Sequence, residues 1–223
     1  MKSSKDNKPD RGCCAIEIDA VALDLIQVYY EVVRDAAASL DVPLSLPAFF
    51  RNIFGLPVET ALARLAQPTG KAAPSAQAIR DEVSSRLMEA TIPDAAVAAI
   101  GDLVGQDVDV VLLTRLDTSR VAATFAGLLA TSGVSVVSDS PASIGARRHD
   151  SWVSLAQRGG RERRLCAVVG SAISCKGALA AGFTPVACAS RITAYQDYIG
   201  AYDTFIGFDQ DVVPTILSAL HMA

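Results

Sequence analysis

The stretch "CCAIEIDAVALD" (13–24) holds the residues best suited to chemistry. An apolar run meets Glu17, then Asp19 two positions on, then Asp24. Closely spaced carboxylates can attack an electrophile, relay a proton or hold a hard divalent cation through oxygen ligands. At the end of a buried strand such charge is costly unless it is used or paired. Either Glu17 and Asp19 work there, or they are the remains of a site that once did.

Placing them requires a strand that ends at this point, and the rest of the chain supplies its neighbours. Short apolar runs alternate with helical patterns. "VDVVLLT" (108–114) precedes "SRVAATFAGLLATSG", "VSVVS" (134–138) precedes "HDSWVSLAQRGG", and "LCAVVG" (165–170) precedes "SCKGALAAG". "TPVACA" (184–189) follows, and "DTFIGF" (203–208) leads into a last helix, "VVPTILSALHM". Continuous apolar strands interleaved with helices predict a parallel sheet covered on both faces. Residues 25–100 break the alternation. "LIQVYYEVVRDAAASL", "LPAFFRNIF", "VETALARLA" and "AQAIRDEVSSRLMEA" read as helices, with a loop at "QPTGKAAPSAQ" marked by Pro68, Gly70 and Pro74. The expected organisation is a disordered tail over 1–10, an α/β core over 11–24 and 101–223, and a helical insert over 25–100.

Bulk properties bound the partners. The 223 residues (23.3 kDa) suffice for one full core, or for a core with a smaller insert. A net charge of −4 and a pI near 5.2 argue against a nucleic-acid partner. Arg161, Arg163 and Arg164 read as a solvated basic loop. The uncharged run 121–138 is broken by Gly127 and Gly133, so no membrane span and no membrane partner are expected. No apolar region follows "MKSSKDNKPD" as a signal peptide would require. Five cysteines (Cys13, Cys14, Cys166, Cys175 and Cys188), an odd number without a CxxC pair, read as buried free thiols in a reducing, cytoplasmic setting.

With its insert opening "DLIQVYYEVVRDAAASLDVPLS" and "FGLPVETALARL", the chain resembles the haloacid dehalogenase superfamily over about residues 11–220. The branch it resembles has a helical cap after the first strand and includes phosphoglycolate phosphatases and β-phosphoglucomutases. The resemblance implies a Rossmann-like, doubly wound parallel sheet in an α/β core, with an α-helical cap over the carboxyl ends of the strands. It also implies Mg²⁺-dependent chemistry on a small phosphorylated metabolite. The family's first motif is Asp-x-Asp-Gly-(Thr/Val)-Leu. "EIDAVALD" places Glu17 at the nucleophile, Asp19 at the acid/base, Ala20 at the glycine and Asp24 at the trailing aspartate. A shifted register would make Asp19 the nucleophile and put Val21 at the acid. Thr114 in "VVLLTR" matches the second motif, whose hydroxyl bonds a phosphoryl oxygen. "GARRHD" (145–150) keeps Gly145 and Asp150 of the lysine motif, but Ala146 replaces the lysine, leaving Arg147 and Arg148 as substitutes or as a basic surface loop. "VVGSAIS" has no acid where the fourth motif has its metal-binding aspartate, so Gly170 or Ser171 takes that place. Arg51, beside "FGLP", is either a cleft residue for a substrate anion or a solvated cap residue.

These departures bear on the chemistry. A glutamate at the nucleophile position shifts the carboxylate by roughly 1 Å, which can cost about a hundredfold in rate. A missing lysine and a missing metal would each add several kcal/mol to the barrier. Glu17 and Asp19 alone would make a weak metal site, so Mg²⁺ is expected only if the site is active. The leading expectation is a protein of this fold with little or no phosphatase activity and a binding or regulatory role. The alternative is an active Mg²⁺-dependent hydrolase of small phosphorylated metabolites, built on Asp19 with Arg147 or Arg148 in place of the lysine. A third reading is an interaction protein that forms a homodimer through its cap. Without catalysis, Glu17 and Asp19 would be capped by backbone N–H groups or paired with Arg147 or Arg148. His149, beside Asp150, is either a base or a loop histidine. Trp152, Tyr29 and Tyr30 lie at helical spacing and read as core or cap-interface residues.

Overall fold

A computed structural model of the chain describes residues 12–139, 144–145, 148–159 and 164–222. The expected tail over 1–10, together with Ala146, Arg147, Arg161 and Arg163, lies outside the described residues. Six strands form one sheet: β1 Cys13–Glu17, β2 Asp109–Thr114, β3 Val134–Ser138, β4 Leu165–Val169, β5 Thr184–Ala189 and β6 Asp203–Ile206. Their order is β3-β2-β1-β4-β5-β6, and every neighbouring pair is parallel. This is a doubly wound sheet, in which the strand order reverses beside β1 and opens a crevice at the carboxyl edge. Glu17 is level with Leu113 of β2, and Ile16 with Val168 of β4. The first residues past β1, β2 and β4 therefore emerge together.

Both faces of the sheet are covered, which is why the strands read as unbroken apolar runs. Alternate residues serve opposite faces. Cys14, Ile16, Val110, Leu112, Cys166, Val168, Val186 and Cys188 pack into one buried cluster. Cys13, Ala15, Leu113, Leu165, Ala167, Val169 and Ala187 pack into another with Trp152 and Phe183. All five cysteines are free and buried.

The helices follow the expected pattern with two differences. A single turn, α1 (Ile18–Val21), begins where β1 ends. The insert holds α2 (Leu25–Ser39), α3 (Leu46–Asn52), α4 (Val58–Ala66) and α5 (Ala76–Glu89), followed by α6 (Asp94–Gly105). After β2 come α7 (Thr118–Thr124) and α8 (Ala126–Leu129); α9 (His149–Gly159), α10 (Ala172–Ala180) and α11 (Val213–Met222) complete the set. The first difference is that α6 runs through residue 100, the expected end of the insert, and packs against β2 and α11. The second is that the helix expected after β2 is interrupted at fully buried Phe125, between α7 and α8. Among the described residues no helix is long and apolar enough to cross a membrane.

The insert is held by an apolar stripe on α2, comprising Leu25, Ile26, Tyr29, Val32, Val33 and Ala37, and by the fully buried Phe49 of α3. Phe49 meets the rings of Tyr29, Tyr30, Phe50 and Phe54 at centroid distances of 5.6, 5.2, 5.1 and 5.7 Å. Ser45 and Ser75 cap α3 and α5 by accepting from Ala48 N and Ala78 N. The insert touches the core beyond the strand ends. Gly55 N–H donates to Gly145 O at 2.6 Å, and Phe50 packs edge-on against Tyr195, which lies past β5, at 5.7 Å. Among the described residues the large exposed apolar side chains are Val97, Leu129, Leu179, Tyr195, Ile199, Tyr202 and Ile206; Val97 lies on α6, inside the expected insert of residues 25–100, and the others lie outside it.

Gly145 is the tightest point of this contact. Its φ of +84° disfavours any side chain, and an added Cβ would sit 2.6 Å from the Tyr29 ring. Gly145→Ala is expected to destabilise the protein by about 2 kcal/mol, read as a lower denaturant midpoint in chemical unfolding.

Candidate functional site

The carboxyl edge of the sheet gathers charge from three loops, those after β1, β2 and β3. β1 ends in Glu17, and α1 turns the chain at once so that Asp19 lies inside over the strand ends. β2 ends in Thr114, followed by Arg115. β3 is followed by Asp139, and Arg148 immediately precedes α9. Glu17, Asp19, Thr114, Arg115, Arg148 and Ser171 are all buried.

The guanidinium of Arg148 is the centre of the cluster. Its Nη2 donates to Asp19 Oδ2 at 2.7 Å, and its Nη1 lies 3.5 Å from Glu17 Oε1. Its Nε is 2.8 Å from Asp139 Oδ2, a close ion pair whose N–H is not aligned as a hydrogen bond. The side chain is 0% exposed. Backbone and hydroxyl donors complete the shell. Arg115 N–H donates to Asp19 Oδ2 at 2.6 Å, Gly170 N–H to Glu17 Oε2 at 3.2 Å, and Ser174 Oγ to Glu17 Oε1 at 2.7 Å. Ser151 Oγ donates to Asp139 Oδ1. Among the described residues Asp19 Oδ1 accepts no hydrogen bond.

Two guanidinium groups share this buried place, with different outcomes. Burial, then the neighbouring Arg148 cation, brings Arg115 down to about 10 against the pull of Asp19, Glu17 and Asp139. Burial pushes Arg148 the same way, but Asp19, Glu17 and Asp139 outweigh it and hold the group above its ordinary value. Arg148 is thus firmly cationic and bound to three acids of its own chain.

The expected site residues divide accordingly. Glu17, Asp19, Thr114, Ser171 and Arg148 do come together, but as partners within the protein. Thr114 Oγ1 accepts from Leu116 N at 3.1 Å and shapes the turn after β2. Ser171 caps α10 by accepting from Ser174 N at 3.3 Å. Arg51 is exposed on α3, and no described contact ties it to the acids. Trp152 and Tyr29 are buried as expected, while His149 is exposed. Three contributors escaped the sequence reading: Arg115, Asp139 and Ser174. Each follows closely on a residue or strand that reading used, respectively Thr114, "VSVVS" and Ser171.

The residues present do not fit a magnesium ion. After β4 neither Gly170 nor Ser171 brings an acid, and a Cβ at Gly170 would lie 2.9 Å from Ala20 Cβ. The cationic place beside Asp19 is filled by Arg148. Among the described residues no group of three His, Cys, Asp or Glu is arranged to hold a metal. Among the cavities formed by described residues, one reaches the cluster from outside: Arg148 and Ser174 line it together with His149 and Lys176.

No family model and no curated protein matches the sequence. Solved structures do match the fold. A haloacid dehalogenase-like protein of unknown function from Agrobacterium tumefaciens aligns with a TM-score of 0.66 at 18% identity, covering 95% of this chain and 99% of that one. CbbY from Rhodobacter sphaeroides, solved in complex with phosphate, gives 0.63 at 14% identity over 95% and 99%. β-Phosphoglucomutase from Clostridium difficile gives 0.64 at 11% identity over 95% and 98%. At these identities the likeness establishes the shared fold.

Ser174 tests the account of Glu17. Ser174→Ala removes the donor to Glu17 Oε1 without touching Arg148, and should cost about 1–3 kcal/mol of stability in equilibrium unfolding.

Proposed function

We propose that this chain, with the core and inserted helical cap of the haloacid dehalogenase fold, hydrolyses phosphate esters little or not at all and serves as a binding or regulatory protein. The observation that carries the reading is the Arg148 guanidinium, fully buried and bridging Glu17, Asp19 and Asp139. A carboxylate nucleophile needs an open face toward the electrophile and a cation that draws charge from the transferred group. Here Glu17 accepts from Gly170 N and Ser174 Oγ, and Asp19 accepts from Arg115 N and Arg148. The acids are thus committed to internal donors, and Arg148 is committed to the acids.

A small anion is the partner this reading admits. Between α9 and α10 lies a cavity of about 300 Å³ lined by Arg148, His149, Ser174 and Lys176 and by no carboxylate. The basic side chains on its wall favour an anion there. Five buried free cysteines support a reducing, cytoplasmic setting.

Hydrolysis is tested with Mg²⁺ and an aryl phosphate. The expected release of phenolate equals that of buffer. Turnover above buffer that disappears in Asp19→Asn would overturn the reading and favour an active hydrolase.

A further inference from the structure

The carboxyl ends of β1 and β3 aim three acids at one buried point. Asp19 Oδ2, Asp139 Oδ2 and Glu17 Oε1 lie 2.7, 2.8 and 3.5 Å from three different nitrogens of a single guanidinium. With the guanidinium between them the described acids are not spaced as metal ligands, but an oxygen-rich, anionic and dry point is where a hard divalent cation would be drawn once that group is gone. The occupant is instead tethered to the chain. A tethered group is present at its site at a high effective concentration whatever the free ion level, and its planar fork can serve several carboxylates at once.

We infer that Arg148 is the resident cation of this site, a covalently attached occupant of the place a metal ion would take, and that the site takes up a divalent ion only when the guanidinium is removed. The inference rests on the reading of the site as non-hydrolytic and deepens it by naming what shuts the acids off. Charge supports it. Among the described residues, with Arg148 in place, the three carboxylates face two guanidinium groups, those of Arg148 and Arg115. Without Arg148 the described acids face Arg115 alone, an imbalance of two negative charges that one divalent ion would cancel. Asp19 Oδ1, buried and accepting no hydrogen bond among the described residues, is a ligand position already open. Water would complete the coordination, as magnesium commonly retains several waters.

The test compares wild type, Arg148→Lys and Arg148→Met, the last keeping an apolar stem without charge. Thermal unfolding is followed in chelator and in rising MgCl₂ or MnCl₂, and bound manganese is counted by electron paramagnetic resonance. Arg148→Met should gain roughly 5–10 °C in Tm at a hundredfold excess of ion over its Kd, and bind one manganese per chain. Wild type and Arg148→Lys, whose cation is built in, should not respond. If Arg148→Met does not fold in chelator, the readout becomes its refolding yield with and without manganese. The double variant Arg148→Met/Asp139→Asn, with one acid fewer, should respond more weakly. An Arg148→Met protein indifferent to ions in every readout would overturn the inference, as would wild type binding manganese as readily as the variant. These readouts do not involve turnover, so an active wild type would sink the functional reading separately.

Discussion

Charge buried at the edge of a parallel sheet has to be matched within the molecule, and here one side chain does most of the matching. Arg148 reaches acids that leave β1 and β3, and Asp139 is itself held by Ser151 on α9. The path of three separate segments is thereby fixed relative to the others: the turn α1, the exit from β3 and the start of α9. Such clusters are a weak source of net stability, because desolvation consumes much of the Coulombic gain. Their stronger effect is on arrangement, since any packing that moves one member away leaves a bare charge in the interior.

The same topology explains why acids meet there at all. In a doubly wound sheet the carboxyl ends converge, and the reversal of strand order beside β1 brings loops from β1, β2 and β4 to one crevice. The fold delivers functional groups to that place whatever chemistry they perform. In this chain the delivery is intact, whereas the donors and the arginine turn the crevice inward. The cap reinforces this closure, since Gly55 and Phe50 of the insert touch Gly145 and Tyr195 beyond the strand ends.

Much of this was legible in the residues. The strand "TPVACA" and the helix "VETALARLA" match their observed bounds, because an unbroken apolar run and an amphipathic period are local signals. Less local features were not readable. The interruption falls at Phe125, whose ring is fully buried, and α6 crosses residue 100 while packing against β2 and α11. At the site, Glu17 and Asp19 stood out through their placement after a strand, and pairing with Arg147 or Arg148 was one of the readings their neighbours allowed. What periodicity could not supply was the choice of partner. Arg148 and Asp19 are 129 residues apart, and Ser174 and Glu17 are 157 apart. Only the strand order β3-β2-β1-β4 brings them together.

Ala20 and Gly170 limit what either loop can accept. A Cβ added at residue 170 would sit 2.9 Å from the methyl of Ala20, closer than side chains approach. Any larger residue there would push on the single turn α1, and that turn carries Asp19, which Arg148 holds. Two segments 150 residues apart in the chain are thereby tied in composition, so that a change in one is tolerated only with a matching change in the other.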